Sequence, residues 1–337
     1  MMYKRNILFY FLILISLSSC SYYNAYQKKN TLKEGYIYIY TQKSKAYSLA
    51  QIPDSLFRDA AQFRKSLELL SDSSEWKPGK YKVDVGMTDR ELINKIKSGQ
   101  KEVVTITLTY ARSPEVLAGR ISKKIEADST SISLRMKDEA MLKELGVDSA
   151  NIFSIFLPNT YEFYWDCSAE DLLRRMKKER DKFWNESRLE KAEKVGLSPR
   201  EVYILASIVQ SEQNKLAREW PVIAGLYFNR LRIGMPLQSD PTVLFAKQDF
   251  KANRVYFSDL EVESPYNTYK YKGLPPGPIC MVQSAVLDSV LNYTPNSYLY
   301  MCASDKLDGT HSFAVNGAQH SRNAAAYHRA LNRAGIR

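Results

Sequence analysis

Residues 198–213, Ser-Pro-Arg-Glu-Val-Tyr-Ile-Leu-Ala-Ser-Ile-Val-Gln-Ser-Glu-Gln, constrain this chain more than any other stretch. The start of a helix is written at their N-terminal end. Ser198 is a helix cap, Pro199 takes the first helical position, where its missing N–H costs nothing, and Glu201 completes the reciprocal capping box. Leu205, Ile208 and Val209 set an apolar face. At roughly 100° per residue, Glu212 falls on the line of Leu205 and Ile208. A carboxylate on the apolar face of a helix is costly unless it has a partner or a task. Two effects raise its pKa: desolvation by its apolar neighbours, and its place at the negative end of the helix dipole. A carboxyl kept protonated near neutral pH is what a general acid needs.

The residues that follow suit the recognition of a sugar. Trp220 to Gly234 reads as a second helix, started by Pro221 and stopped by Gly234, and Met235 to Val243 reads as a polar loop. Glu263 to Tyr269 and Gly273 to Ile279 add rigid Pro/Gly loops carrying Tyr, Asn and Ser. Aromatic faces stack on pyranose rings, and amides and carboxylates bond their hydroxyls. Gln238 and Asp240 are candidates for orienting substrate or stabilising charge. Tyr266, Asn267 and Tyr269 are candidates for sugar contacts.

The chain has 337 residues, enough for two or three domains with their own cores. Lys and Arg (48) exceed Asp and Glu (37), giving a net charge of +11, which suits an anionic partner: a wall polymer, a membrane surface or nucleic acid. No zinc-finger spacing or other nucleic-acid signature accompanies the charge, so a nucleic-acid role is not expected. Three histidines, His311, His320 and His328, lack metal-ligand spacing. With no cysteine motif either, no metal or cofactor is expected and a histidine-centred hydrolase is disfavoured. Cys280 and Cys302 read as core residues.

At the N-terminus, Lys4 and Arg5 precede an apolar run from Ile7 to Ile15 and then Leu17-Ser-Ser-Cys20. The run is short of the ~20 apolar residues of a spanning helix and reads as a secretory segment. Leu-Ser-Ser-Cys resembles the bacterial lipoprotein signal, with Cys20 as the lipidated residue; an uncleaved anchor is the alternative. Either way, the bulk of the chain is expected outside the cell membrane and anchored to it, in a periplasm-like space.

Residues 1–20 are thus a signal or anchor and 21–34 a polar tether. Residues 35–110 form a small α+β module. Its strands fall at 35–41, 76–83 and 104–110, and its helices at about 55–70 and 87–96, the second opened by a Thr88…Glu91 box and stopped by Gly99. Residues 111–337 form one mixed α+β domain, with helices at 114–125 and 137–145, a strand or loop at 157–165, and one long charged helix from 168 to about 193. The fold class is α+β.

Several motifs in order resemble the endolytic murein transglycosylases, the lytic transglycosylase G family. They are Leu205-Ala-Ser-Ile-Val-Gln-Ser-Glu212, Ile223 through Val243, Ser264-Pro-Tyr-Asn-Thr-Tyr269, Gly273-Leu-Pro-Pro-Gly-Pro-Ile279 and His311-Ser-Phe-Ala314, with Leu157-Pro-Asn-Thr-Tyr161 and Lys77-Pro-Gly-Lys-Tyr81 upstream. The resemblance implies a LysM-like subdomain over 35–110, a membrane anchor before it, and a catalytic domain that cleaves peptidoglycan strands internally without water. It makes Glu212 the catalytic acid. The cut bond joins N-acetylmuramic acid to N-acetylglucosamine and leaves a 1,6-anhydro end, trimming or terminating new strands beside the synthesis machinery. Many members carry a second Glu two residues earlier, where this chain has Gln210. That residue points roughly 200° away from Glu212 on a helix, so one candidate acid remains. Two other readings stand beside this one: a non-catalytic wall-binding lipoprotein, and a two-carboxylate hydrolase with Asp240 as the partner of Glu212.

Overall fold

The computed structural model describes residues 23, 25–41, 43–70, 72, 76–250 and 255–336. The expected anchor at 1–20, with Cys20, lies outside them. Among the described residues, no helix is long and apolar enough to cross a membrane. The fold mixes α and β, with many helices and three small two-stranded sheets. The chain divides into two compact units. Among the described residues, the first comprises those up to 106 with 121–128 and 161–168, and the second those in 107–120, 129–160 and from 169 onward.

In the first unit, β1 (Gly35–Ile39) pairs antiparallel with β2 (Gly79–Val83) in the register Gly35↔Val83 to Ile39↔Gly79. Strand alternation puts Ile37 and Ile39 on the inner face with Tyr81 and Val83. Beneath them lie Phe63 and Leu67 from α2 (Ala60–Leu70) and Leu92, Ile93 and Ile96 from α3 (Asp89–Ser98). A short α1 (Lys45–Ala50) precedes these helices. Helix α3 carries the Thr88/Glu91 capping box, and Gly99 ends it in the left-handed region, at φ 74°.

A single break near 110, with a tether before residue 35, does not describe this unit. Residues 29–32 are built into it. The Asn30 amide donates to the buried Asp89 carboxylate (2.8 Å), and Thr31 Oγ1 donates to the Asp84 carbonyl (2.7 Å). Burial pushes the Asp89 carboxyl up, against the hydrogen bonds from Ser66 and Asn30, so Asn30 and Ser66 together satisfy a buried acid. Residues 121–128 and 161–168 also return to the first unit. Trp165 packs its ring on Tyr38 (4.8 Å between centroids) and Tyr40 (5.0 Å), and Glu126 accepts from the backbone N–H of Thr41 (2.8 Å). The second sheet pairs β3 (Val103–Thr107) with β4 (Thr160–Tyr164).

The second unit continues with α4 (Pro114–Ile121), α5 (Ser129–Arg135) and α6 (Glu139–Leu145). The long charged helix of the sequence reading is two helices, α7 (Ala169–Phe183) and α8 (Glu186–Val195). Asn185 breaks it by capping the Arg188 N–H with its side chain (3.1 Å). Arg188 then reaches back to the Phe183 carbonyl (3.0 Å) and grips Asp288 through two nitrogens.

Helix α9 (Pro199–Glu212) is the core of this unit. Every residue from Val202 to Gln210 is buried, so the single apolar face of the sequence reading is a helix enclosed on nearly all sides. Around it pack α8, α10 (Trp220–Arg232), α11 (Asp240–Lys247) and α12 (Ser284–Leu291). Helix α11 replaces part of the expected polar loop: Asp240 and Pro241 occupy its first turn. A last sheet of β5 (Tyr300–Ala303) and β6 (His311–Ala314) leads to α13 (Gly317–Arg333). Cys280 is fully buried, but Cys302, on β5, is only partly so.

Helix α10 must lie close to the segment at 294–298. The Asn296 amide donates to the Val222 carbonyl (3.1 Å), and the Asn229 amide donates to the carbonyls of Asn296 (2.9 Å) and Tyr298 (3.0 Å). A Cβ on Gly225 would sit 2.5 Å from the Thr294 carbonyl oxygen and closer still to Asn296 Nδ2. Gly225→Ala is therefore expected to destabilise the fold by about 1–3 kcal/mol through overpacking, although alanine gains roughly 1 kcal/mol in helix propensity. Chemical denaturation of the two proteins measures the difference.

Candidate active site

Glu212 is the last residue of α9, and two elements converge on it. Tyr227, on the third turn of α10, donates its hydroxyl to Glu212 Oε1 (2.9 Å). Ser239, immediately before α11, donates its hydroxyl to the same oxygen through a short hydrogen bond. Glu212 Oε2 takes no hydrogen bond from any described residue. Two donors on Oε1 leave the carboxylic proton to Oε2, so the acid's donating oxygen is the one its neighbours leave open.

The electrostatics agree with that arrangement. Desolvation is the largest influence on Glu212 and pushes its pKa above the ordinary carboxyl value. The hydrogen bonds from Ser239 and Tyr227 pull it down, the negative charge of Asp240 pushes it up, and His311 pulls it down; burial wins. Tyr227 is itself held well above its ordinary value by burial and by the adjacent carboxyl, so it remains a donor.

Ser239 is fixed from three directions. Its backbone N–H donates to Thr268 Oγ1 (3.0 Å), its carbonyl accepts from Thr242 Oγ1 (2.7 Å), and the Thr242 and Thr268 hydroxyls bond each other (2.8 Å). All three side chains are buried. Gln238, just before, takes a left-handed backbone (φ 48°) that a side chain rarely adopts. Its N–H donates to the Thr268 carbonyl (3.0 Å), which holds the turn that aims Ser239 at Glu212. Arg230, buried one turn beyond Tyr227, donates to the carbonyls of Leu237 (2.6 Å) and Leu299 (2.6 Å) and locks the same turn from below.

The exit of α9 is equally well defined. Gln213 Oε1 accepts from the N–H groups of Lys215 and Leu216 (both 3.1 Å), and its Nε2 donates to Glu219 (2.9 Å) and to the Gly309 carbonyl (2.9 Å). The Trp220 indole donates to the Gln213 carbonyl (2.6 Å). Glu219 also pairs with His311 through its ring Nδ1 (2.8 Å) and its backbone N–H (3.0 Å). Burial pushes the Glu219 carboxyl up, but these hydrogen bonds outweigh it and leave the group below its ordinary value.

The other residues singled out in the sequence fall into distinct places. Asp240 accepts from the Tyr269 hydroxyl (2.6 Å), and both lie close enough to Glu212 for their charges to be felt there. Asn267 is fully buried. Its amide donates to the carbonyls of Leu260 (2.8 Å) and Val262 (2.9 Å), and its oxygen accepts from the Tyr269 N–H (3.0 Å), so it pins the loop that presents Tyr269. Tyr266 packs against Phe245 (4.7 Å). Gln238 shapes the Ser239 turn and accepts from Arg230 (3.3 Å). Gln210 is buried facing away from the acid, donating to the Met281 carbonyl (2.9 Å) and accepting from the Gln283 N–H (2.8 Å).

Sequence reasoning passed over Tyr227, Ser239, Thr268 and Arg230. Ser239 lay in plain view between Gln238 and Asp240, but a serine in a polar loop carries no signal until the start of α11 is seen. Tyr227 lies eight residues into a helix whose local sequence carries no sign that its hydroxyl meets Glu212.

A single desolvated carboxyl, steadied by two hydroxyl donors and open on its other oxygen, is the arrangement that one-acid chemistry requires, and it is carried on a mixed α/β scaffold. The YceG-like family pattern matches residues 37–326, and the chain belongs to that family. It is 29% identical over 271 residues to an endolytic murein transglycosylase of Bacillus subtilis, covering 76% of this chain and 74% of that one. A protein of the same name from Streptococcus pneumoniae is 28% identical over 284 residues, covering 75% of this chain but 51% of its own length. The crystal structure of a yceG-like protein from Listeria monocytogenes superimposes with a TM-score of 0.57 at 25% identity, covering 86% of this chain and 98% of that one.

Removing the Ser239 donor takes away a hydrogen bond that favours the charged form of Glu212. Ser239→Ala is expected to shift the alkaline limb of the pH–rate profile to higher pH and to lower the rate by about 10- to 100-fold. Glu212 also bears on stability. Its folded-state pKa lies above the unfolded value, so the stability it contributes is full below the unfolded pKa and is lost as pH rises through the folded one. Glu212→Gln stays neutral at every pH and keeps an oxygen for Tyr227 and Ser239. Its melting temperature is expected to equal or exceed that of the wild type at pH 8, with the gap closing at pH 4.

Proposed function

We propose that this protein is an endolytic peptidoglycan lytic transglycosylase in which Glu212 acts first as acid and then as base. The observation that carries the reading is the asymmetry of the Glu212 carboxyl: Oε1 is occupied by Tyr227 and Ser239, and Oε2 is open. The names of the Bacillus and Streptococcus relatives support it.

In the first step, the proton on Oε2 passes to the oxygen linking N-acetylmuramic acid to N-acetylglucosamine, and the C1–O bond breaks. The carboxylate that forms is stabilised by the two hydroxyl donors, which become charge-assisted hydrogen bonds at that moment. In the second step, the same carboxylate takes the proton of the muramic C6 hydroxyl as its oxygen closes onto C1. The acid is restored, and the product carries a 1,6-anhydro end. The internal hydroxyl outcompetes water because it is already held beside C1. Asp240 and Tyr269 sit beside this centre, suited to a substrate hydroxyl and to the face of a ring.

The finer features belong to the same proposal. The first unit serves as a LysM-like glycan-binding module, on the strength of its strand and helix order. The positively flanked N-terminal segment, ending at Cys20, anchors the chain to the membrane as a lipoprotein or an uncleaved helix. The bulk of the protein faces the wall, where it trims or terminates strands beside the machinery that makes them.

Product analysis tests the chemistry. Purified protein lacking residues 1–20, incubated with polymeric glycan, is expected to release fragments with anhydro ends, read by their mass. Glu212→Gln is expected to lower that release by about a thousandfold or more. Undiminished anhydro products from Glu212→Gln would remove Glu212 from the mechanism. Reducing ends from the wild type would favour a hydrolase with Asp240 as second carboxylate.

A further inference from the structure

At the C-terminal end of α9, in the second unit, lies a cavity of about 370 Å³. Gln210 and Ser211 of α9 form one rim, and Asn214 continues it past the end of the helix, so the cavity flanks the helix end that carries the acid without being lined by Glu212 itself. Pro241, Leu244 and Phe245 of α11 form a second wall, with Phe250 beyond them. Helix α11 is the one whose preceding residue, Ser239, bonds the acid. A group in this cavity is therefore positioned by the same two helices that position the reacting carboxyl.

Its chemistry differs from that expected around bare sugar. Among the described residues, no acidic side chain lines it, whereas sugar hydroxyls commonly donate to carboxylates. Among the described residues that line it, Arg112 is the one cation, and its guanidinium is oriented by the protein. Arg112 Nη1 donates to the Phe250 carbonyl (2.6 Å), and Nε donates to the Tyr110 hydroxyl (3.2 Å). Nη2 has no hydrogen-bond partner among the described residues, and Arg112 forms no ion pair with any of them. The side-chain amides of Asn214 and Gln283, on the cavity wall, are likewise without partners there. A fixed arginine with a free edge, unpaired amides and apolar walls together suit a carboxylate carried on a short peptide. The volume suits a few residues of such a chain.

We propose that this cavity is a subsite for the acidic peptide substituents of the glycan strand, with Arg112 as the residue that binds their carboxylate. The proposal rests on the transglycosylase reading and adds a determinant of substrate choice to it. Arg112 takes no part in the bond-breaking steps. It selects strands that still carry charged peptides and brings them into register with Glu212.

The test uses two glycan substrates, un-cross-linked strands with native peptide carboxylates and the same strands with those carboxylates converted to amides. Wild-type protein is expected to lose about tenfold or more in kcat/KM on amidated strands, mainly through KM. Arg112→Ala is expected to lose the same factor on native strands and nothing further on amidated ones; Arg112→Lys should fall between. A second readout does not need turnover: binding of the Glu212→Gln protein to native against amidated strands, with and without Arg112→Ala. Loss of charge preference in the double variant supports the subsite. An unchanged preference, or equal losses on both strands from Arg112→Ala, overturns it. A wild type that yields no anhydro ends counts against the function of Glu212, while the binding comparison still decides the role of Arg112.

Discussion

The pair of hydroxyl donors on one oxygen of Glu212 is the interaction on which the rest of the second unit depends. An unpaired carboxyl at the end of a buried helix would either stay protonated and inert or force the helix end into water. Tyr227 and Ser239 place the group between those extremes. Their own positions need the close approach of α10 at Gly225, the left-handed turn at Gln238, the buried threonine pair and the locked guanidinium of Arg230. Read outward from Glu212, much of the unit is scaffolding for a single oxygen atom.

The network on the far side of α9 serves a different need. A helix end is the place where backbone carbonyls lack partners and fraying begins. Gln213, Glu219, Trp220 and His311 tie that end down with side-chain hydrogen bonds, so Glu212 sits on rigid backbone although it is the last helical residue. Catalysis by one group used twice demands this, because the same atom must meet two successive partners at different positions.

The sequence was most legible where local rules act alone. The capping boxes at Thr88 and Ser198, the αL stop at Gly99 and the alternation of Ile37 and Ile39 all follow from neighbours a few residues apart. Helix phase set Glu212 against apolar residues, but the motifs that follow it, rather than phase, singled it out as the candidate acid. What escaped depends on contacts between distant segments. Asn185 splits a helix because Arg188 finds Asp288 a hundred residues later. Asn30 looked like part of a polar tether because its partner, the buried Asp89, is invisible in its own surroundings. Asn267 has a sugar-binding residue's composition but a loop's job, and only its buried amide reveals that.

Gln210 has a consequence of its own. Its amide donates to one carbonyl and accepts from one N–H of the segment at 281–283, a pairing that a carboxylate, with no hydrogen to give, could not make. The glutamine therefore joins helix and loop without bringing charge into the interior. It also means that Glu212 is the single carboxyl over the last three turns of α9. In the proposed mechanism, the proton that Glu212 releases would not be shared with a second carboxyl over those turns, and the carboxylate left behind would meet no second negative charge there to hasten or hinder its return.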